Sequence, residues 1–263
     1  MVHCGTDYGG LAEVIFAKTA FVCLTVAILG ACQTTGGGNV RIDNVPMYGQ
    51  PGVERPTILK QADDDFIANA MAGLRKEKPE TTRRQASEFW FLAGEEFMRK
   101  GNFDYAMRRY NQAWLLDPEN FQPYWGFGQA MLETDRFDLA VENFERALAR
   151  VDDSKYVDDS KYKVALWVDA ATAYSFRGEV RAKDGVAGAT EDFARANELY
   201  SKSAKETPEY TNTYRRWAMA LHREGRYAEA WEKVAETRRR IGRPFTLAFL
   251  SALAARMPEP RLP

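Results

Sequence analysis

The sequence predicts an all-α fold: a stacked array of three to four helix-turn-helix units closed by a C-terminal capping helix. Three observations carry this. Small and aromatic residues recur at a fixed spacing of 34, so that Trp90, Gly94, Phe103, Ala106, Tyr110 and Ala113 are matched by Tyr124, Gly128, Phe137, Ala140, Phe144 and Ala147. Stacked helical hairpins need such a period, because one hairpin cannot bury its apolar face alone. The pattern returns near the C-terminus at Tyr214, Ala218, Leu221, Gly225, Tyr227 and Ala230. Finally, PFTLAFLSALAAR, residues 244–256, is a short apolar run placed where an array needs a lid.

Taken in chain order, residues 1–31 read as an export signal. Thr19 to Ala31 is apolar or small, Lys18 precedes it, and Leu29-Gly30-Ala31-Cys32 closes it. The run of about 13 residues is short of the roughly 20 needed to span a bilayer, which weighs against an uncleaved anchor. Residues 1–17 contain Asp7 and Glu13 but no Lys or Arg, unlike a basic leader; a start downstream, at Leu11 or Val14, would explain this. All three cysteines, Cys4, Cys23 and Cys32, fall in this region, so the folded part has no disulfide framework. The tetrapeptide resembles the lipobox of bacterial lipoproteins. That resemblance implies cleavage before Cys32, a diacylglyceryl group on its sulfur, acylation of the new amino terminus by a palmitate-like chain, and hence membrane attachment through Cys32. Gln33 after the cysteine, in place of Asp, implies the outer membrane with the chain facing the periplasm.

Residues 32–57, rich in Gly and Pro, form a tether with a root-mean-square reach of about 25 to 30 Å. Residues 58–86 form a helical segment in which Leu59, Ala62, Phe66, Ala70 and Leu74, with Ile67 and Met71, share one face. The Asp63-Asp64-Asp65 run points its carboxylates in three directions, a solvated face and not a metal site.

Residues 87–120 are the first repeat, with Trp90, Gly94 and Phe97 on one helix facing Ala106, Tyr110 and Ala113 on the next across a Gly101-Asn102 turn. Residues 121–154 repeat the device. Residues 164–210 form a third unit: Trp167, Ala171, Tyr174 and Gly178 make a first helix, while Ala196, Tyr200, Ser203 and Pro208 are displaced by 13 residues, so residues 183–195 are an insertion or a lengthened hairpin. Residues 211–243 form the fourth unit and residues 244–257 the cap, whose Pro244 suits a first helical turn. An apolar helix on nearly all sides is either deeply buried or available for self-association. The tandem VDDSKYVDDSKY, residues 151–162, reads as a duplicated surface linker. Asp152, Asp153, Asp158 and Asp159 lack the alternating ligands, glycine turn and final Glu of a calcium loop.

The spacing resembles that of the tetratricopeptide repeat family: large, small four on, large three on, then Ala, aromatic, Ala and a closing proline. Repeat one departs at Ala93, where a larger aliphatic is usual, and repeat two lacks the proline. The resemblance implies a right-handed superhelix that binds protein or peptide partners on its concave face. Residues one step, about 100°, round each first helix from the paired face should line it: Phe91, Glu95 and Met98; Trp125, Gln129 and Leu132; Val168, Thr172 and Ser175; Arg215, Met219 and His222. Phe91 and Trp125, 34 apart, should stack in one exposed strip unless the 58–75 helix or its preceding segment fills the groove. The Lys and Asn by which some family members clamp a terminal carboxylate are missing, so the resemblance implies apolar or aromatic partner side chains.

The chain is near neutral, at net charge -1, but unevenly so: residues 87–150 carry 7 basic and 11 acidic side chains, residues 211–263 carry 11 and 5. Arg238, Arg239, Arg240 and Arg243 either complement a helix C-terminus or read acidic partners and lipid headgroups. Balanced charge in an exported chain argues against nucleic acid. With Cys32 acylated, His222 is the one histidine beyond the signal, which leaves no Cys-His pair or multi-histidine metal site. No catalytic residue, cofactor or metal is therefore expected. The reading that results is a non-enzymatic, membrane-anchored scaffold for envelope complex assembly in the periplasm. The alternatives are an adaptor for peptidoglycan hydrolases or synthases and a carboxylate-based enzyme.

Overall fold

A computed structural model describes residues 57–152, 160–241 and 245–260. The expected signal, Cys32, the tether, Pro244 and residues 153–159 of the duplicated hexapeptide lie outside them. Ten helices account for the secondary structure of the described residues: α1 (Thr57–Glu77), α2 (Arg83–Arg99), α3 (Phe103–Leu116), α4 (Phe121–Glu133), α5 (Phe137–Asp152), α6 (Ser160–Asp184), α7 (Ala189–Glu206), α8 (Thr211–Glu224), α9 (Tyr227–Ile241) and α10 (Leu247–Arg256). Four hairpins follow, α2/α3, α4/α5, α6/α7 and α8/α9, and the first helices α2, α4, α6 and α8 also touch in succession. The fold is an all-α helical repeat array.

Small residues set the pairing. A Cβ on Gly94 would lie 2.4 Å from the Tyr110 ring, and one on Gly128 would lie 2.7 Å from the Phe144 ring, so each glycine lets an aromatic ring sit directly on backbone. Tyr110 also reaches the next repeat, where a Cβ on Gly126 of α4 would lie 2.6 Å from the same ring. One fully buried side chain therefore rests against glycines of two successive repeats. At the hairpin turns Gly101 has φ +68° and Asp135, 34 residues on, has φ +58°. The second repeat thus places a non-glycine residue in the left-handed region, where Asp is better tolerated than most.

The segment expected over 58–86 divides. α1 ends at Glu77, and Thr82 caps α2 in a reciprocal box with Gln85, so Arg83 to Ala86 belong to the first repeat. From Phe66 onward the apolar face of α1 packs Phe66, Ile67, Ala70, Met71 and Leu74 against Ala86, Trp90 and Leu116. α1 covers the open end of the array as a first lid.

The third hairpin is lengthened rather than interrupted by an insertion. α6 runs for 25 residues and turns at Gly185 and Gly188, both at positive φ. Arg177 grips Asp192 of α7 with two bonds of 2.6 and 2.9 Å, and Arg181 reaches Asp138 of α5 at 3.1 Å. The long hairpin is thereby tied both to itself and to the preceding repeat.

At the other end α10 starts at Leu247, with the Thr246 hydroxyl as its cap accepting from the Phe249 N–H. Leu253, Phe249 and Leu250 seal the core formed by Ala218, Leu221, Trp231 and Val234, and Trp231 Nε1 donates to the Met257 carbonyl at 2.9 Å. Its outer face is open: Leu247 is 82% exposed, and Ala248, Ala252 and Ala255 are exposed beside it.

Candidate protein-binding face

Phe91 and Trp125 stack as their spacing predicts, with ring centroids 6.2 Å apart and planes inclined by 23°. They are not an exposed strip. Phe91 is 3% and Trp125 5% exposed, with Phe121 and Tyr162 completing an aromatic cluster around Trp125 at 6.3 and 6.0 Å. The physical reason lies in the neighbours: α4 is buried at every residue from Phe121 to Met131, so the face one step round from the hairpin seam is itself a seam between repeats. α1 packs elsewhere, on Trp90 and Leu116; ring partners of Phe91 and Trp125 come from α3, α4 and α6.

The remaining predicted positions divide by depth. Met98, Gln129, Val168, Thr172 and Ser175 are buried, whereas Glu95, Leu132, Arg215, Met219 and His222 are half-buried. Arg215 is held by Asn212 Oδ1 at 2.9 and 3.1 Å. His222 lies between Tyr227 and Phe249 of the lid, and burial lowers its pKa below the usual histidine range.

Sequence spacing missed the residue at the centre of this face. Asp169 of α6 accepts from Trp125 Nε1 at 2.8 Å and Gln129 Nε2 at 3.1 Å, and pairs with Arg216 of α8 at 3.3 Å. One buried carboxylate joins three repeats. Next along α8, Arg223 lies 3.7 Å over the Phe176 ring and pairs with Glu179 at 3.4 Å. Asp169, Arg216 and Arg223 each stand one residue beyond the predicted Val168, Arg215 and His222. The available signal was a lone acid in the otherwise uncharged stretch from Val164 to Phe176, which burial forces to find donors.

Glu95 has an unusual charge state. Burial, with a contribution from Asp169, raises its pKa to about 7 against the downward pull of the hydrogen bond donated by Tyr110 Oη at 2.5 Å. A raised carboxyl pKa means that the native state binds the proton more tightly than the unfolded chain, so its contribution to stability is present below the ordinary 4.5 and lost as pH rises through about 7. Glu95→Gln is therefore expected to stabilise the protein near pH 8 by up to about 3 kcal/mol and to leave it unchanged near pH 4. Urea unfolding at the two pH values checks this; equal effects at both would show that Glu95 is an ordinary surface carboxylate.

The basic end is largely committed to the fold. Arg240 lies 4.2 Å over the Tyr214 ring and donates to the Pro208 carbonyl at 3.3 Å. Arg150 does the same to Tyr124, at 4.2 Å, and to the Pro118 carbonyl, at 3.1 Å. Arg238 pairs with Glu259, while Arg239 is exposed. Arg240 and Arg150 thus close their repeat ends by covering Tyr214 and Tyr124, an aromatic of the first helix in their own hairpin.

No family model matches the chain, and no curated protein matches it. Among solved structures it is similar to one described as the crystal structure of MamA protein, at 17% identity, with 78% of this chain and 92% of that one covered and a TM-score of 0.44. A likeness of that degree decides neither family nor function.

Proposed function

We propose that this chain is a non-enzymatic scaffold of tetratricopeptide type, anchored through a lipid on Cys32 to the outer membrane and holding protein partners in the periplasm during envelope complex assembly. The observation that carries the scaffold reading is the array itself, four successive hairpins with their first helices in contact and a lid at each end. Stacked hairpins offer extended surface and not a closed catalytic cleft. The anchor rests on the Leu29-Gly30-Ala31-Cys32 sequence, and three acyl chains at about 0.8 kcal/mol per buried methylene would suffice to hold it. None of the described helices is long and apolar enough to cross a membrane. The exposed outer face of α10 around Leu247 supplies a surface for self-association.

Cys32→Ala is expected to release the protein from the membrane fraction or to trap its precursor. A mature wild-type mass without acyl chains would overturn the anchor. Crosslinking in intact cells tests the scaffold: outer-membrane or pilus-type assembly proteins support it, and recovery of peptidoglycan hydrolases or synthases alone would turn it into an adaptor. Sedimentation of purified wild type against Leu247→Asp tests self-association, which fails if both are monomers at every concentration.

A further inference from the structure

We propose that the strip formed by Glu95, Gln129 and Asp169 receives a cationic side chain, the lysine or arginine of a partner peptide. This rests on the scaffold reading and names its partner's chemistry. Gln129 is 3% exposed, and its Oε1 is buried without a hydrogen-bond partner among the described residues. Its orientation is fixed, because Nε2 donates to Asp169 Oδ2 at 3.1 Å and the reversed amide would set oxygen against oxygen. A buried carbonyl oxygen left in this way carries an unrecovered desolvation cost that an incoming donor would relieve.

Glu95 stands at the matching place one repeat earlier, 34 residues before Gln129, on the helix that packs beside α4. It is half-buried and so reachable from solvent, and it makes no ion pair among the described residues; the bond from Tyr110 occupies one of its oxygens. The charge of Asp169 is matched by Arg216, which leaves Glu95 as the carboxyl available to a newcomer. Its raised pKa is what a carboxyl shows when burial outweighs the pull of the Tyr110 hydroxyl and of Arg99. An apolar group would leave the oxygens unpaired. An N–H-bearing cation offers donors to both the Glu95 carboxylate and the Gln129 oxygen and matches the charge of the first.

The test uses the full chain and an acetylated, amidated pentapeptide with a central lysine between alanines, beside the same peptide with norleucine in its place. The lysine peptide is expected to shift the Trp125 indole N–H resonance, which reports on Asp169, and to return the Glu95 titration toward 4.5. Norleucine should do neither, and Glu95→Gln should weaken the lysine peptide at least tenfold. An equal response to norleucine, no response at millimolar lysine peptide, or indifference to Glu95→Gln would overturn the proposal. Crosslinking in cells separates this from the scaffold reading: undiminished partner capture by Glu95→Gln removes the cation site and keeps the scaffold, and capture by neither form removes the scaffold.

Discussion

Gly94→Leu should destabilise the protein by about 3 kcal/mol or more, the upper part of the range for overpacked cores. Already the first carbon of the new side chain would lie 2.4 Å from Cε1 of Tyr110. The ring cannot yield easily, because Gly126 brings backbone to the same ring edge from the next repeat and Tyr110 has no exposed surface. Leu adds three further carbons to a seam with no room for one. Gly73→Ala provides the control: nothing lies within 4 Å of a Cβ at that position in α1, so the change should be neutral or stabilising by about 0.5 to 1 kcal/mol. Urea midpoints for the two variants make the comparison. A loss under about 0.5 kcal/mol for Gly94→Leu would mean that the α2/α3 pairing is wrong.

Truncating the aromatic pair should be the other severe change. Phe91→Ala and Trp125→Ala are each expected to cost about 3 to 5 kcal/mol, as for large-to-small substitutions in cores. Trp125→Ala also strips a donor from the buried Asp169 carboxylate, which places it at the upper end. Because the rings stack on each other, the double variant should fall short of the sum of the singles. Thermal melting followed by circular dichroism measures all three. A double variant that melts with the wild type would return Phe91 and Trp125 to the surface and restore the exposed strip that their spacing suggests.

The hairpins were legible because their determinants lie within one period. Gly94 opposite Tyr110 and Gly128 opposite Phe144 are local pairs, 16 residues apart, and the same pair twice leaves little freedom of interpretation. Gly126 was not legible in the same way, since its partner is Tyr110 of the preceding repeat and its matching residue in that repeat is Leu92. The stacking of Phe91 on Trp125 follows from register alone. Their burial depends on how closely α2, α4 and α6 approach, which no single repeat encodes. Asp169 is the same case: its donors stand 40 and 44 residues earlier in the chain. The start of α2 at Arg83 was written locally, in Thr82 and Gln85, but a helix count based on aromatic spacing passes over a cap.

Tyr110 has a consequence for the order in which the chain comes apart. In an ideal linear array each repeat could fray by itself, with a nearest-neighbour energy resisting it. Here the side chain that completes the first hairpin is also lodged on the backbone of the second, so opening either one exposes a ring that belongs to both. Amide protons of α2, α3 and α4 should therefore exchange as one cooperative unit.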